Sequence, residues 1–451
     1  MLDRSIYRKM ISWKLQKKKK ALCIIGARQI GKTTIIREFA RENYECFLEI
    51  NFILDRGAQQ IFDGSFDADT IIENLTAFKM QKLNPGKTLI FLDEIQECPN
   101  ARTAIKFLVE DGRFDYIESG SLLGVKYKDV PSYSVGFEEI IYMYPMSFAE
   151  YAAANGLPFQ TIDLLKKCLD EKTEVPGPVH ETLLKLFYTY IVVGGMPAVV
   201  QEYVNSHDIG RVVQAQNDIL ELYRLDISKY AAGTERIKIQ AIFDSIPAQL
   251  NDKNRRFFLN RVDEKGRMNR YENSFLWLSD AGVALPVYNV SEPAPPLRLN
   301  EKRNLFKLFL CDTGLLCAAC MSNIQFDLLN GNMDVNMGSI LENVMAQSLK
   351  CNGFSLNYFD SKKYGEIDFV IQNGTGIDLT EIKSGSNYKK HSALSRVSKV
   401  ENWSYHRKTV YCRGNVETSE GIDYLPWYMV MFDKPESVPE GSIYQVDFST
   451  L

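Results

Sequence analysis

The eight residues Gly26-Ala-Arg-Gln-Ile-Gly31-Lys32-Thr33 constrain most tightly what this chain can fold into. They fit G-x-x-x-x-G-K-[ST] at every fixed position, between the apolar run "ALCII" and the helical pattern "TTIIREFA". A buried strand feeding a glycine-rich turn that opens a helix gathers backbone N–H groups and the positive end of a helix dipole at one point, which suits a phosphate. The glycines let the backbone approach, Lys32 reaches the β- and γ-phosphates, and the Thr33 hydroxyl is a ligand for Mg²⁺. The expected cradle is Gly26, Ala27, Arg28, Gln29, Ile30, Gly31, Lys32, Thr33 and Thr34, on an α/β domain with a parallel sheet. ATP and Mg²⁺ are the expected ligands.

The other half of such a site is an apolar strand ending in an acid. "KTLIFLDEIQECP" supplies it, with Asp93 as the Mg²⁺ acid and Glu94 placed to polarise an attacking water. Adjacent carboxylates at a strand end are costly unless a metal or a reaction uses them. The plainer alternative is an acid pair opening a helix at Ile95. "RFDYIESGS" forms the next strand, and the hydroxyl of Ser119 or Ser121 would sense the γ-phosphate if these are not simple turn serines. Lys32, Glu94, Ser119 and Ser121 are thus the expected catalytic set, and Thr33 and Asp93 the metal set.

A second constellation lies near the other end. Glu342 sits in the amphipathic stretch "GSILENVMAQSLK", Asp368 in the strand-like "GEIDFVI", and Glu381 and Lys383 in "GIDLTEIKSG". Period-two alternation puts Glu381 and Lys383 on one face of their strand. Asp368 and Glu381 can share a divalent cation, a second metal for this chain, and Lys383 can steady phosphoryl charge. Asp378 is an alternative acid for this site, but from its place in the run it is expected to face solvent. The bland reading of E-x-K is a solvated, paired strand face.

Between these ends the pattern is helical from Glu150 to Tyr230, broken by Gly194-Gly195 and Pro197, a hinge or a tight turn. Three helical stretches and two strands around Pro293–Pro296 then read as a winged helix-turn-helix, its third helix beginning near Arg267–Tyr271. The 451 residues exceed one ordinary core. The expected domains are 1–150 (P-loop domain with a basic N-terminal helix), 151–235 (helical lid), 236–325 (winged helix) and 326–451.

These strings together resemble the AAA+/STAND side of the P-loop ATPases. More narrowly, the chain resembles a prokaryotic family of AAA-type ATPases with a C-terminal domain of unknown function, on "GARQIGKTT", "LIFLDEIQ", "ESGSLLG", "YPMSFAEYAAANG", "VVGGMPAVV", "DISKY", "FKLFLCDTGLL" and "GEIDFVI…TEIKSG". The C-terminal layout resembles the restriction-endonuclease-like PD-(D/E)XK fold, with Glu342 as its helix acid. The resemblance implies an ATP hydrolase. Many members carry Arg or Lys after a glycine ahead of "YPMSF"; here Phe137 follows Gly136. If that cation touches phosphate, its role is vacant or moved, with Arg102 and Arg113 as substitutes.

Composition narrows the rest. The net charge of −4 excludes a polyanion-binding surface over the whole molecule, so any DNA or RNA contact must be local. Nine cysteines, mostly in apolar runs, suit the reducing cytoplasm, and Cys317 and Cys320 lack the second pair a zinc site needs. No apolar stretch is long enough to span a membrane, and the basic N-terminal stretch lacks a signal peptide's apolar region. Three functions remain: an ATP-driven switch acting on nucleic acid, an ATP-gated metal-dependent DNA nuclease, or a nucleotide-controlled module that binds a protein partner. An oligomer is compatible with each.

Overall fold

The structure is a computed structural model that describes residues 2–121, 136–231, 233–252, 255–320, 324–329 and 337–436. The chain divides into two compact units. The first comprises Met1–Phe159, Tyr188–Pro286 and Leu308–Val335, and the second Gln160–Phe187, Val287–Lys307 and Asn336–Leu451. The segment expected as a lid contributes to both.

The first unit is built on β1 (Ala21–Ile25), β2 (Cys46–Asn51), β3 (Thr88–Asp93), β4 (Asp115–Gly120) and β5 (Glu138–Tyr142), in the order β2-β3-β4-β1-β5. Every pairing is parallel. β1 and β3 are buried along their whole length, as strands covered on both faces must be. Leu48, Ile50, Ile90 and Leu92 pack with Leu75 and Ile105 from the covering helices. The register places Asn51 beside Asp93 and Asp93 beside Ser119, so three polar side chains meet at the carboxyl ends of adjacent strands. The N-terminal helix Ser5–Lys14 is amphipathic as expected and buries Ile6, Met10 and Trp13.

The Gly194-Gly195 break is a locked turn. Gly195 N donates to Asp312 at 2.6 Å, and Met146 N donates to the Gly195 carbonyl at 2.6 Å. Asp312 also accepts from Leu315 N at 3.0 Å at the start of the helix Thr313–Cys320. A Cβ on Gly195 would stand 2.2 Å from the Met146 carbonyl oxygen.

The expected three-helix module is realised differently. Helix Gly233–Leu250 is followed by two single 3₁₀ turns, Leu259–Arg261 and Met268–Arg270, and then by helix Glu272–Asp280. Asn251–Tyr271 is rich in Asn and Asp, whose side chains bond nearby backbone in place of helical bonds. Asp263, for example, accepts from Lys265 N at 3.0 Å.

The second sheet comprises β6 (Ala284–Val290), β7 (Glu301–Leu310), β8 (Asn357–Ser361), β9 (Gly365–Asn373), β10 (Gly376–Ile382), β11 (Arg407–Cys412), β12 (Glu417–Ser419) and β13 (Ile422–Pro426). Its order is β12-β13-β11-β10-β9-β8-β6-β7, with parallel and antiparallel pairs mixed. The two strands expected as a wing, β6 and β7, therefore belong to this sheet. Phe359, Ile367, Val370, Leu379 and Val410 line its core with Leu394 from helix Ser392–Val397. None of the nine cysteines is in a disulfide. Among the described residues, no helix is long and apolar enough to cross a membrane.

Candidate functional site

The phosphate loop runs from the end of β1 to helix Lys32–Asn43, with Gly31 in the left-handed region at φ 88°. Gly26 is pressed against the chain: a Cβ there would lie 2.2 Å from the Met143 carbonyl oxygen. The Lys32 ammonium donates to the loop carbonyls of Gly26 at 2.8 Å and Ala27 at 2.7 Å. Burial lowers the Lys32 pKa to about 8, opposed by the neighbouring Glu94 and Asp93 carboxylates. Arg4 braces the loop from outside, donating to the carbonyls of Ile30 at 3.0 Å and Tyr144 at 2.7 Å.

Asp93 is the hub. Its Oδ2 accepts from Thr33 Oγ1 and from Asn51 Nδ2, each at 3.0 Å, and its Oδ1 accepts from Ser119 Oγ and, at 3.1 Å, from Glu94 N. Glu94 has φ 54° and makes no capping bond to the 3₁₀ turn Ile95–Glu97 that follows. Its Oε2 accepts instead from Gln96 Nε2.

Arg28 on the loop has its own set of partners. Its Nη1 pairs with Asp226 on helix Ile209–Tyr230, its Nε donates to Ser121 Oγ at 3.3 Å, and its carbonyl accepts from Tyr223 OH at 3.1 Å. Of the two serines considered for sensing phosphate, Ser119 therefore meets Asp93 and Ser121 meets Arg28. Neither arginine suggested for the missing cation is in this group. Arg102 is buried and paired with Glu138 at 2.7 Å, and Arg113 pairs with Asp111 and Asp69.

In the second unit Glu381 Oε2 pairs with Lys383 Nζ at 2.7 Å, and its Oε1 accepts from Leu394 N at 3.1 Å. Burial raises the Glu381 pKa, Lys383 opposes this, and nearby Asp368 adds to it. Asp368 Oδ2 accepts from Ile382 N at 2.8 Å. Asp368, Glu381 and Lys383 therefore lie together. Glu342 has a different partner: it is buried on helix Met337–Cys351, and Lys307 Nζ bonds its Oε2 at 2.9 Å. The same ammonium pairs with Glu366 at 2.5 Å and lies 5.2 Å from the Tyr358 ring centre.

Among the described residues the one trio of His, Cys, Asp or Glu donors within 4.8 Å of one another is Cys23, Glu118 and Glu138, on β1, β4 and β5. Glu342, Asp368 and Glu381 form no such trio. Asp378, expected to face solvent, is buried and bonded to Asn373 at 3.1 Å and His406 at 3.2 Å. β10 lies between β9 and β11, and the burial of five consecutive residues hides the alternation on which the expectation rested.

The sequence reading missed Asn51, Gln96, Asp226 and Lys307. Only Asn51 left a local signal, as a polar residue closing an apolar strand.

Residues 18–152 match the family described as AAA domain. Residues 184–326 and 337–430 match two families, each described as a domain of unknown function (DUF8612 and DUF4143). No curated protein matches the chain. Among solved structures, a Walker-type ATPase of Pyrococcus abyssi aligns at 13% identity and TM-score 0.42, over 71% of this chain and 96% of that one. The Orc1 protein of Aeropyrum pernix, solved with DNA, aligns at 13% identity and TM-score 0.28 over 72% and 91%. PCH-2 of C. elegans aligns at 12% identity and TM-score 0.28 over 46% and 65%. The front of the chain, over residues 18–152, is thus similar to an AAA domain.

Proposed function

We propose that the first unit binds ATP with Mg²⁺ and hydrolyses it, and that the nucleotide state acts as a switch. The observation that carries this is the Asp93 hub, where the Thr33 hydroxyl, Asn51 and Ser119 converge on one carboxylate beside Glu94. Thr33 and Asp93 offer hard oxygen donors of the kind Mg²⁺ takes, and the ion would supply charge neutralisation at the phosphates. Lys32 exchanges its loop carbonyls for phosphate oxygens. Asn51 and Ser119 hold the Asp93 carboxylate in place. Glu94 accepts the proton of the attacking water as its oxygen bonds the γ-phosphorus and the bond to the bridging oxygen breaks.

Two substitutions test this. Lys32→Ala should abolish ATP binding measured by calorimetry. Glu94→Gln should retain ATP and slow turnover by about two to four orders of magnitude, the range for losing general-base help. Unchanged affinity in the first, or wild-type turnover in the second, removes the assignment.

For the second unit, the Lys307–Glu342 pair favours a binding module over a nuclease. An internal ammonium neutralises the helix acid that a metal site would need, and Glu381 and Asp368 are committed to Lys383 and to backbone N–H groups. These acids are already bonded within the chain, which supports a binding role over metal-dependent cutting. The partner, nucleic acid or protein, would be engaged under control of the ATP state.

A further inference from the structure

The sequence leaves one role open at the ATP site. Phosphoryl transfer spreads charge over the γ-phosphate oxygens, and a cation there speeds the step. Phe137 stands where a basic residue was expected, and Arg102 and Arg113 are paired elsewhere.

We infer that Arg28 is that cation, a catalytic residue supplied by the phosphate loop itself, with Asp226 and Ser121 as its positioning residues. The inference rests on the ATPase reading above. Arg28 is the third residue of the G-x-x-x-x-G-K-T motif, so its backbone belongs to the phosphate cradle. Its guanidinium is oriented from two elements, by Asp226 on helix Ile209–Tyr230 and by Ser121 just past β4. Tyr223, one turn before Asp226 on the same helix, bonds the Arg28 carbonyl at 3.1 Å and fixes the backbone that carries the side chain. The Arg28 side chain keeps 26% of its surface exposed, against 15% for Asp226, so the pair is partly open to a ligand.

Electrostatics points the same way. Arg28 precedes Lys32 by four residues on the same loop, and Arg28 is paired with Asp226. Two cations on one phosphate loop suit an anionic ligand. As water bonds to the γ-phosphorus and gives its proton to Glu94, the electron pair of the breaking bond stays on the bridging oxygen. Arg28 N–H groups stabilise the charge growing on that oxygen and on the γ-phosphate.

The test compares Arg28→Ala, Arg28→Lys and Asp226→Asn with wild type. Arg28→Ala should lower kcat by about 10³-fold, the lower end of what a catalytic arginine contributes. Its ADP affinity should stay within about threefold, while the trapped complex with ADP and aluminium fluoride, a mimic of the transferring phosphoryl group, should be lost. Arg28→Lys should recover part of kcat. Asp226→Asn should lower kcat by about 10- to 100-fold with little change in KM, as expected for a misplaced catalytic group. If Arg28→Ala turns over within about threefold of wild type while its melting temperature falls, the arginine is only a structural latch and the inference fails. If Arg28→Ala does not fold, Arg28→Lys and Asp226→Asn decide on the same readouts. A wild-type chain that turns over no ATP sinks the ATPase reading itself, whereas wild-type turnover with unaffected Arg28 variants sinks only this inference.

Discussion

Lys32 is where burial and charge meet most directly. Burial brings its pKa from the ordinary 10.5 to about 8, and the neighbouring carboxylates keep it from falling further. Phosphate binding needs the protonated amine, so the sign is fixed. ATP affinity should be insensitive to this group below about pH 8, then fall about tenfold per pH unit above it, as one proton is taken up on binding. Calorimetry from pH 7 to 9.5 at constant ionic strength checks this; a flat profile would show that Lys32 titrates elsewhere. The residues legible in the sequence were those whose chemistry sits in one short string: Lys32, Thr33, Asp93 and Glu94. Asn51 and Asp226 escaped, as did the pairing that Arg28 of the expected cradle makes with Asp226, because each role depends on a partner far along the chain. Asp226 is separated from Arg28 by 198 positions, and no local pattern encodes that meeting.

Among the elements, the Gly194-Gly195 turn carries a definite expectation. Its carbonyl and N–H are both bonded, and its space is taken by the Met146 backbone and the Asp312 carboxylate. Gly195→Ala must move a backbone segment, and should cost about 2–4 kcal/mol, the size seen when a substitution forces a backbone clash. Urea denaturation checks it, and a loss below about 0.5 kcal/mol would show that the turn yields easily, as a hinge would. Strands such as β1, β3, β4 and β9 were readable from apolar runs, whereas β11, β12 and β13 were not read. The stretch between Leu250 and Glu272 was not, because basic and apolar residues there mimic helical spacing while Asn, Asp and Gly favour local turns. Burial of Asp378 was hidden for a different reason: alternation reports one covered face, and β10 is covered along five successive residues.

At the scale of the molecule, each unit carries its own cluster of acids and lysines, and the two clusters should be separable by substitution. Purified chain with Mg²⁺ or Mn²⁺ should leave linear and supercoiled DNA uncut in every nucleotide state, and Asp368→Ala and Lys383→Ala should leave ATP turnover unchanged. Metal-dependent nicking that disappears in Asp368→Ala would overturn the binding-module reading. The sequence carried the order of acids and lysine in this unit, but it did not show Lys307, which comes from β7, 35 positions before the acid it neutralises. That ammonium has no solvent-exposed side-chain surface. An amine-acylating reagent would therefore modify surface lysines at once and reach Lys307 only when the sheet opens, so mass spectrometry of that one peptide would time the opening of the second unit against a clock already built into the chain.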